Sequence, residues 1–111
     1  MGNLPSVDEL ALRQNAVRGA ELLDDHIPEW QWQVNPHSFD VRDSTKCIGG
    51  QVGWEKVKSI LNHHQMVLSD AGMFRLVSYS GDPNWEETYT LEYGILQDQW
   101  MIELQRRRNG G

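Results

Sequence analysis

The residues with chemistry to offer gather in the middle of the chain. Lys46 precedes Cys47-Ile48-Gly49-Gly50-Gln51-Val52-Gly53, which joins the single thiol to three glycines, and His63-His64 follows ten residues after Gly53. A cysteine near a helix N-terminus beside a lysine has the setting of a lowered thiol pKa, so Cys47 is a candidate nucleophile. Catalysis would also need a histidine base and a group to orient it, and nothing in the spacing of His26, His37, His63 and His64 sets one beside Cys47. The plainer reading is a small buried residue, and the expected catalytic set is none. The glycines fit no nucleotide fingerprint: Ile48 stands where the dinucleotide pattern needs its first glycine, and no Gly-Lys-Ser/Thr follows at the Walker spacing. What remains is a notch. Gly49 and Gly53 lie four apart, on one face of a continuous helix, where another backbone or a flat ring can approach closely. Phosphate could use free N–H groups at that helix start with Lys46 nearby, although close packing is the simpler use. Consecutive histidines on a helix diverge by about 100°, so His63 and His64 do not chelate one ion together. With no Cys-x-x-Cys, Cys-x-x-His or His-Glu-x-x-His pattern, the expected metal and cofactor complement is none.

Three helices must position these residues. The first, over about 7–27, is expected to start at a capping box formed by Ser6 and Glu9, and it repeats apolar residues at Leu12, Ala16, Ala20, Leu23 and Ile27 before Pro28 ends it. Asp24 and Asp25 fall in its last turn, where the helix dipole disfavours anions; they read as solvated side chains, or more sharply as a contact for a basic partner. A second helix, over about 44–68, is capped by Asp43 or Ser44 and carries Cys47, Ile48, Val52, Val57, Ile60, Leu61, His64 and Leu68, with Gly49, Gly50 and Gly53 weakening its first turns. The third, over about 84–108, is capped by Asn84, steps through Tyr89, Tyr93, Leu96, Trp100 and Leu104, and closes on Arg106-Arg107-Arg108 at its negative end. Between the first two lies an aromatic connector holding Trp30, Trp32 and Phe39 between Pro28 and Pro36, in which one tryptophan is expected to pack inward and the other to lie at the rim. A short extended segment near 73–79 is the single departure this reading allows from an all-α fold, before a turn at Ser80-Gly81-Asp82-Pro83.

At 111 residues the chain can bury one core without disulfides or metal, and its lone cysteine forms no intrachain bridge and fits a reducing compartment. The formal charge of -6 is uneven. Residues 1–45 carry 3 basic and 8 acidic groups, 46–78 carry 4 and 2, 79–105 carry 0 and 6, and 106–111 carry 3 and 0. Two acidic blocks repel a phosphate backbone, so nucleic acid is not an expected partner, and the terminal arginines read first as helix-end stabilisation. Gly2 with Ser6 has the form of a myristoylation site, but Pro5 between them and the lack of a second membrane signal favour chance, so no membrane and a cytoplasmic location are expected. Five tryptophans are several times the usual complement.

Arg18-Gly19-Ala20, Leu22-Leu23-Asp24, Pro28-x-Trp30 and Cys47-Ile48-Gly49-Gly50-Gln51-Val52-Gly53 together resemble a family of small uncharacterised proteins encoded by actinobacteria and their bacteriophages. Tyr89, Leu96, Trp100 and the arginine run are similar to the ending of those proteins, and the resemblance spans about residues 16 to 108. Gly49-Gly50 departs from their more usual Leu-Gly. The resemblance implies a phage or host setting and assigns no activity to any residue.

These readings give a single all-α domain over 1–111. Its expected function is a non-enzymatic interaction protein, of the small accessory kind that phages produce to bind a host or phage protein; a homodimer is also compatible. Trp32 and Trp54 fall off the expected apolar faces and are the candidate contact residues. The alternative is a binder of a small molecule or nucleotide that uses the notch of Gly49, Gly50 and Gly53 with Gln51 beside it. Trp30 and Trp100 are expected to lie across that notch, and Gln51 to satisfy backbone groups of the connector.

Overall fold

Asp8 starts the first helix. Its Oδ1 accepts from the N–H of Ala11 at 3.0 Å, which satisfies one of the donors left free at a helix start. The computed structural model describes residues 8–74 and 85–110. Ser6 lies outside them, and Glu9 pairs with Arg13 at 2.8 Å rather than completing a capping box. Helix α1 runs Glu9–His26 and buries Leu12, Ala16, Ala20 and Leu23, the expected face, together with Gly19. It stops at Ile27, whose N–H bonds the Leu23 carbonyl at 2.7 Å, immediately before Pro28.

The chain then enters α2, the single turn Trp30–Gln33, through Glu29 at φ 70°. The connector beyond it is built from side-chain turns. Asn35 Oδ1 accepts from the N–H of His37, Asp40 Oδ1 from that of Arg42, and Asp43 Oδ1 from that of Thr45, each at 2.9 Å. In each, a short carboxylate or amide takes the place of a backbone acceptor two residues on. Asp43 is therefore occupied in a turn and does not cap the second helix, which begins four residues later than expected with Cys47 at its N-cap.

The expected single helix over 44–68 is in fact two, followed by a 3-10 turn. Helix α3 covers Ile48–Val52 and α4 covers Trp54–His63. Gly53 separates them at φ 123° and ψ 112°, a conformation closed to side chains. Its N–H closes α3 on the Gly49 carbonyl at 2.9 Å, and its carbonyl accepts from Val57 at 3.1 Å to open α4. The glycine therefore belongs to both helices while turning the chain between them. Gln65, at φ 57°, follows the end of α4, and a 3-10 turn at Leu68–Ala71 leads to Gly72 at φ 70°. Met73 and Phe74 continue as bends rather than strand, and the remainder of the expected extended segment lies outside the described residues, as do the turn at 80–83 and the cap at Asn84. Helix α5, Trp85–Gly110, is the longest at 26 residues. Tyr93, Leu96, Trp100 and Leu104 are its buried stripe, as their spacing predicts. The fold is all-α, with no strand among the described residues.

Helices α1 and α5 form the centre and run in the same direction, since Arg13 near the start of α1 reaches Asp98 at 2.9 Å and Asp24 near its end meets Arg107 at 2.8 Å. The 3-10 turn is pressed into α1. A Cβ on Gly72 would strike the backbone N and Cα of Ala16, and one on Gly19 would strike the carbonyl of Ala71. Trp100, 1 % exposed, locks this corner by donating its Nε1–H to the Gly72 carbonyl at 2.8 Å and meeting the fully buried Trp30 edge-on at 5.8 Å.

Candidate binding surface

The two tryptophans of α2 point apart, as residues two positions apart on a helical turn must. Trp30 faces the core, and its Nε1–H donates to Asp24 Oδ1 at 2.9 Å. Trp32 is 56 % exposed, and the guanidinium of Arg108 lies 4.7 Å from its ring centroid. Such a stack restrains both side chains and joins an apolar plate to a cation.

An ion-pair network fixes the arginine end of α5 beneath this stack. Arg107 donates through Nε and NH2 to both carboxylate oxygens of Asp24, each at 2.8 Å at its closest, and through NH1 to Glu103 Oε1 at 2.8 Å. Glu103 is 1 % exposed, and its other oxygen accepts from Gln99 at 2.7 Å, so the buried carboxylate is satisfied on both sides. Because α1 and α5 are parallel, their negative dipole ends lie together, and Arg107 answers both. Asp24 is thus an intramolecular partner rather than a free solvated acid.

The pH response of this contact has a definite sign. Burial pushes the Asp24 carboxyl up, and hydrogen bonds from Arg107 and Trp30 outweigh it, holding the group below its ordinary value of 3.8. A carboxyl depressed by folding contributes stability above its unfolded value and loses it as pH falls through the folded one. Thermal melts are therefore expected to weaken below about pH 4, with Asp24→Asn lowering stability at neutral pH and showing less of the acid-induced loss. The Asp24 side chain is 42 % exposed, so solvent screening holds the effect to about 1 kcal/mol.

The glycine notch is filled from within the same segment. A Cβ on Gly49 would meet the six-membered ring of Trp54, and one on Gly50 would meet the backbone of Ser44 and Thr45. Trp54 is anchored there by its Nε1–H, which donates to the Ser44 carbonyl at 2.8 Å. Trp30 and Trp100 do not lie across the notch as expected: they pack on each other between α1 and α5. At Gly53 a Cβ would meet nothing closer than Lys56 carbons at 3.8 Å, so that glycine serves backbone conformation rather than close approach. Gln51 does what its position suggested, accepting from the N–H of Asn35 at 2.8 Å and donating to the Lys46 carbonyl at 2.7 Å. Of the six candidate residues, Gly49, Gly50, Gln51 and Trp54 are brought together as a packed unit that ties the connector to α3, and Trp32 stands apart on the surface.

Cys47 is buried at the start of α3, and no hydrogen bond joins it to a histidine among the described residues. Three of the four histidines instead gather with one another at the ends of α1 and α4, where His26 Nε2 lies 2.9 Å from His64 Nε2. Among the described residues no group of three or more His, Cys, Asp or Glu side chains is arranged to hold a metal ion, and no helix is long and apolar enough to cross a membrane. A shallow, mainly apolar groove of about 460 Å³ runs between α4 and the 3-10 turn; Leu61, Met66, Val67, Leu68 and Phe74 line it with Lys58, Asn62 and Ser69, and none of its described lining residues is a tryptophan.

Neither the Trp32–Arg108 stack nor the Asp24–Arg107 fork follows from local sequence. The one available signal was the coincidence of an acidic pair in the last turn of α1 with a basic run in the last turn of α5. Compared with known proteins, the chain matches no family, no curated protein and no solved structure.

Proposed function

We propose that this chain is a non-enzymatic protein-interaction module, of the small accessory kind that actinobacteriophages or their hosts use to engage a host or phage protein in the cytoplasm. The observation that carries this reading is Trp32, an exposed indole held against Arg108. Tryptophan and arginine are the side chains most enriched among interface hot spots, and a ring already restrained by stacking loses little freedom when a partner covers it. The phage or actinobacterial setting rests on the sequence resemblance alone, of which the Cys47 to Gly53 segment is the most specific part. The alternative, a small-molecule or nucleotide binder, loses its suggested site because Trp54 and the Ser44-Thr45 backbone occupy the notch.

The test is a Trp32→Ala variant. Its side chain contributes little to the core, so melting should change by less than about 0.5 kcal/mol. Pull-down from an actinobacterial lysate, with mass spectrometry, should recover a partner with the natural chain and lose it with the variant. A partner retained equally by Trp32→Ala would remove Trp32 from the interface. A co-purifying small molecule without a protein partner would favour the alternative.

A further inference from the structure

Among the described residues, one cluster of titratable side chains has no role in the packing described above. His26 stands in the last turn of α1, His63 in the last turn of α4, and His64 follows as its C-cap. All three are exposed. The His26 and His64 rings meet edge-on with centroids 5.1 Å apart, and their Nε2 atoms are separated by 2.9 Å. At that distance one nitrogen must accept, because two N–H groups facing each other would repel. Consecutive on a helix, His63 and His64 were not expected to act together; the fold pairs His64 with a residue 38 positions away.

We infer that His26 and His64 form a surface chelate for a first-row transition-metal dication, of the copper(II) or nickel(II) class. Imidazole nitrogen is a preferred ligand for these ions. The spacing is within reach of one shared ion: two metal–nitrogen bonds of about 2.0–2.1 Å place the nitrogens about 2.9 Å apart at a right angle and about 3.3 Å apart at a tetrahedral one. The two Nε2 atoms, 2.9 Å apart in their hydrogen bond, need shift little in separation to take up the right angle of square-planar or octahedral coordination. Metal binding replaces the hydrogen bond: both rings rotate so that their Nε2 lone pairs meet at one point, and the proton on the donor Nε2 is exchanged through water to the Nδ1 of the same ring. Water supplies the remaining ligands. The site also lies where α1 and α4 both end, so two negative dipole ends favour a cation there. Bound metal would staple the C-terminal ends of these two helices, which share few direct contacts otherwise.

The experiment uses the full chain without a polyhistidine tag, titrated with copper(II) or nickel(II) chloride and followed by calorimetry and thermal melting. Saturable binding of one ion per chain and a rise in melting temperature are expected, since a ligand that binds only the folded state stabilises it. His26→Ala and His64→Ala should each weaken binding by at least about tenfold, a loss of 1.4 kcal/mol. Their melting without metal shows that each variant is folded. His37→Ala, at an exposed histidine outside the cluster, should bind as the natural chain does. Unsaturable binding, binding unchanged in His26→Ala or His64→Ala, or equal loss in His37→Ala would overturn the assignment. For copper, paramagnetic resonance gives an independent readout: nitrogen hyperfine structure from two imidazoles is expected, and a spectrum with one or none would overturn it.

Discussion

Gly72→Ala is expected to lower stability by about 2–4 kcal/mol, combining the cost of a left-handed conformation with that of forcing atoms into a packed core. Gly72 sits at φ 70°, and its missing side chain faces the backbone N and Cα of Ala16, a fully buried residue in the middle of α1. A flexible side chain could swing away from an added methyl, but a helix backbone cannot. Moving the turn instead would withdraw the Gly72 carbonyl from Trp100 Nε1, now 2.8 Å away. For a domain of this size the loss corresponds to a fall in melting temperature of about 9–17 °C. Gly94→Ala is the control. It lies on α5 with nothing within 4 Å of its added Cβ, so the same change there should stabilise by about 0.5–1 kcal/mol through helix propensity. Thermal melts of both variants by circular dichroism test the pair. Equal effects at the two positions would show that the 3-10 turn does not press on α1.

Trp100→Ala carries the other large expectation, a loss of about 3–5 kcal/mol, the range for removing a buried aromatic. Three contacts go at once. The indole fills the space beside Gly19, meets Trp30 edge-on at 5.8 Å, and satisfies the Gly72 carbonyl. Trp100→Phe separates packing from hydrogen bonding: it keeps much of the ring volume and leaves the buried carbonyl without its donor, a cost of about 1–3 kcal/mol. Urea unfolding at constant m-value should rank the natural chain above Trp100→Phe and that above Trp100→Ala. Similar midpoints for Phe and Ala would mean that the hydrogen bond, rather than the ring, holds the corner.

The outer helices were legible because their apolar stripes are long. Leu12 to Leu23 and Tyr93 to Leu104 each repeat every three or four residues, and no competing local signal interrupts them. The middle of the chain misled for a definite reason. Periodicity assumes one continuous axis, and under that assumption Trp54 falls off the apolar face. The turn at Gly53 breaks the axis and brings the Trp54 ring back over Gly49, so an expected contact residue became a packing residue. Glycine reveals that a positive φ is available, not that it is used. Asp43 misled similarly, because the same carboxylate that caps helices also closes the turn it makes with Thr45. The spacing of Trp30 and Trp32 set one inward and the other at the rim, as found, but not which of them faced the core. Arg108, the partner of Trp32, comes from the far end of α5 and had no local signature, whereas Asp24 stands six residues before Trp30.

The parallel arrangement of α1 and α5 has a consequence for how the molecule comes into being. Two neighbouring helices that point the same way cannot be joined by a short hairpin, so everything from α2 to the start of α5 serves as the crossover between them. The core-facing residues of α1, from Leu12 to Leu23, therefore have no α5 to cover them until about sixty further residues and α5 itself have been made. Helical proteins usually fold quickly on contacts close in sequence. Here the decisive contacts close a long loop, and an emerging chain must carry an uncovered apolar face while it waits for α5.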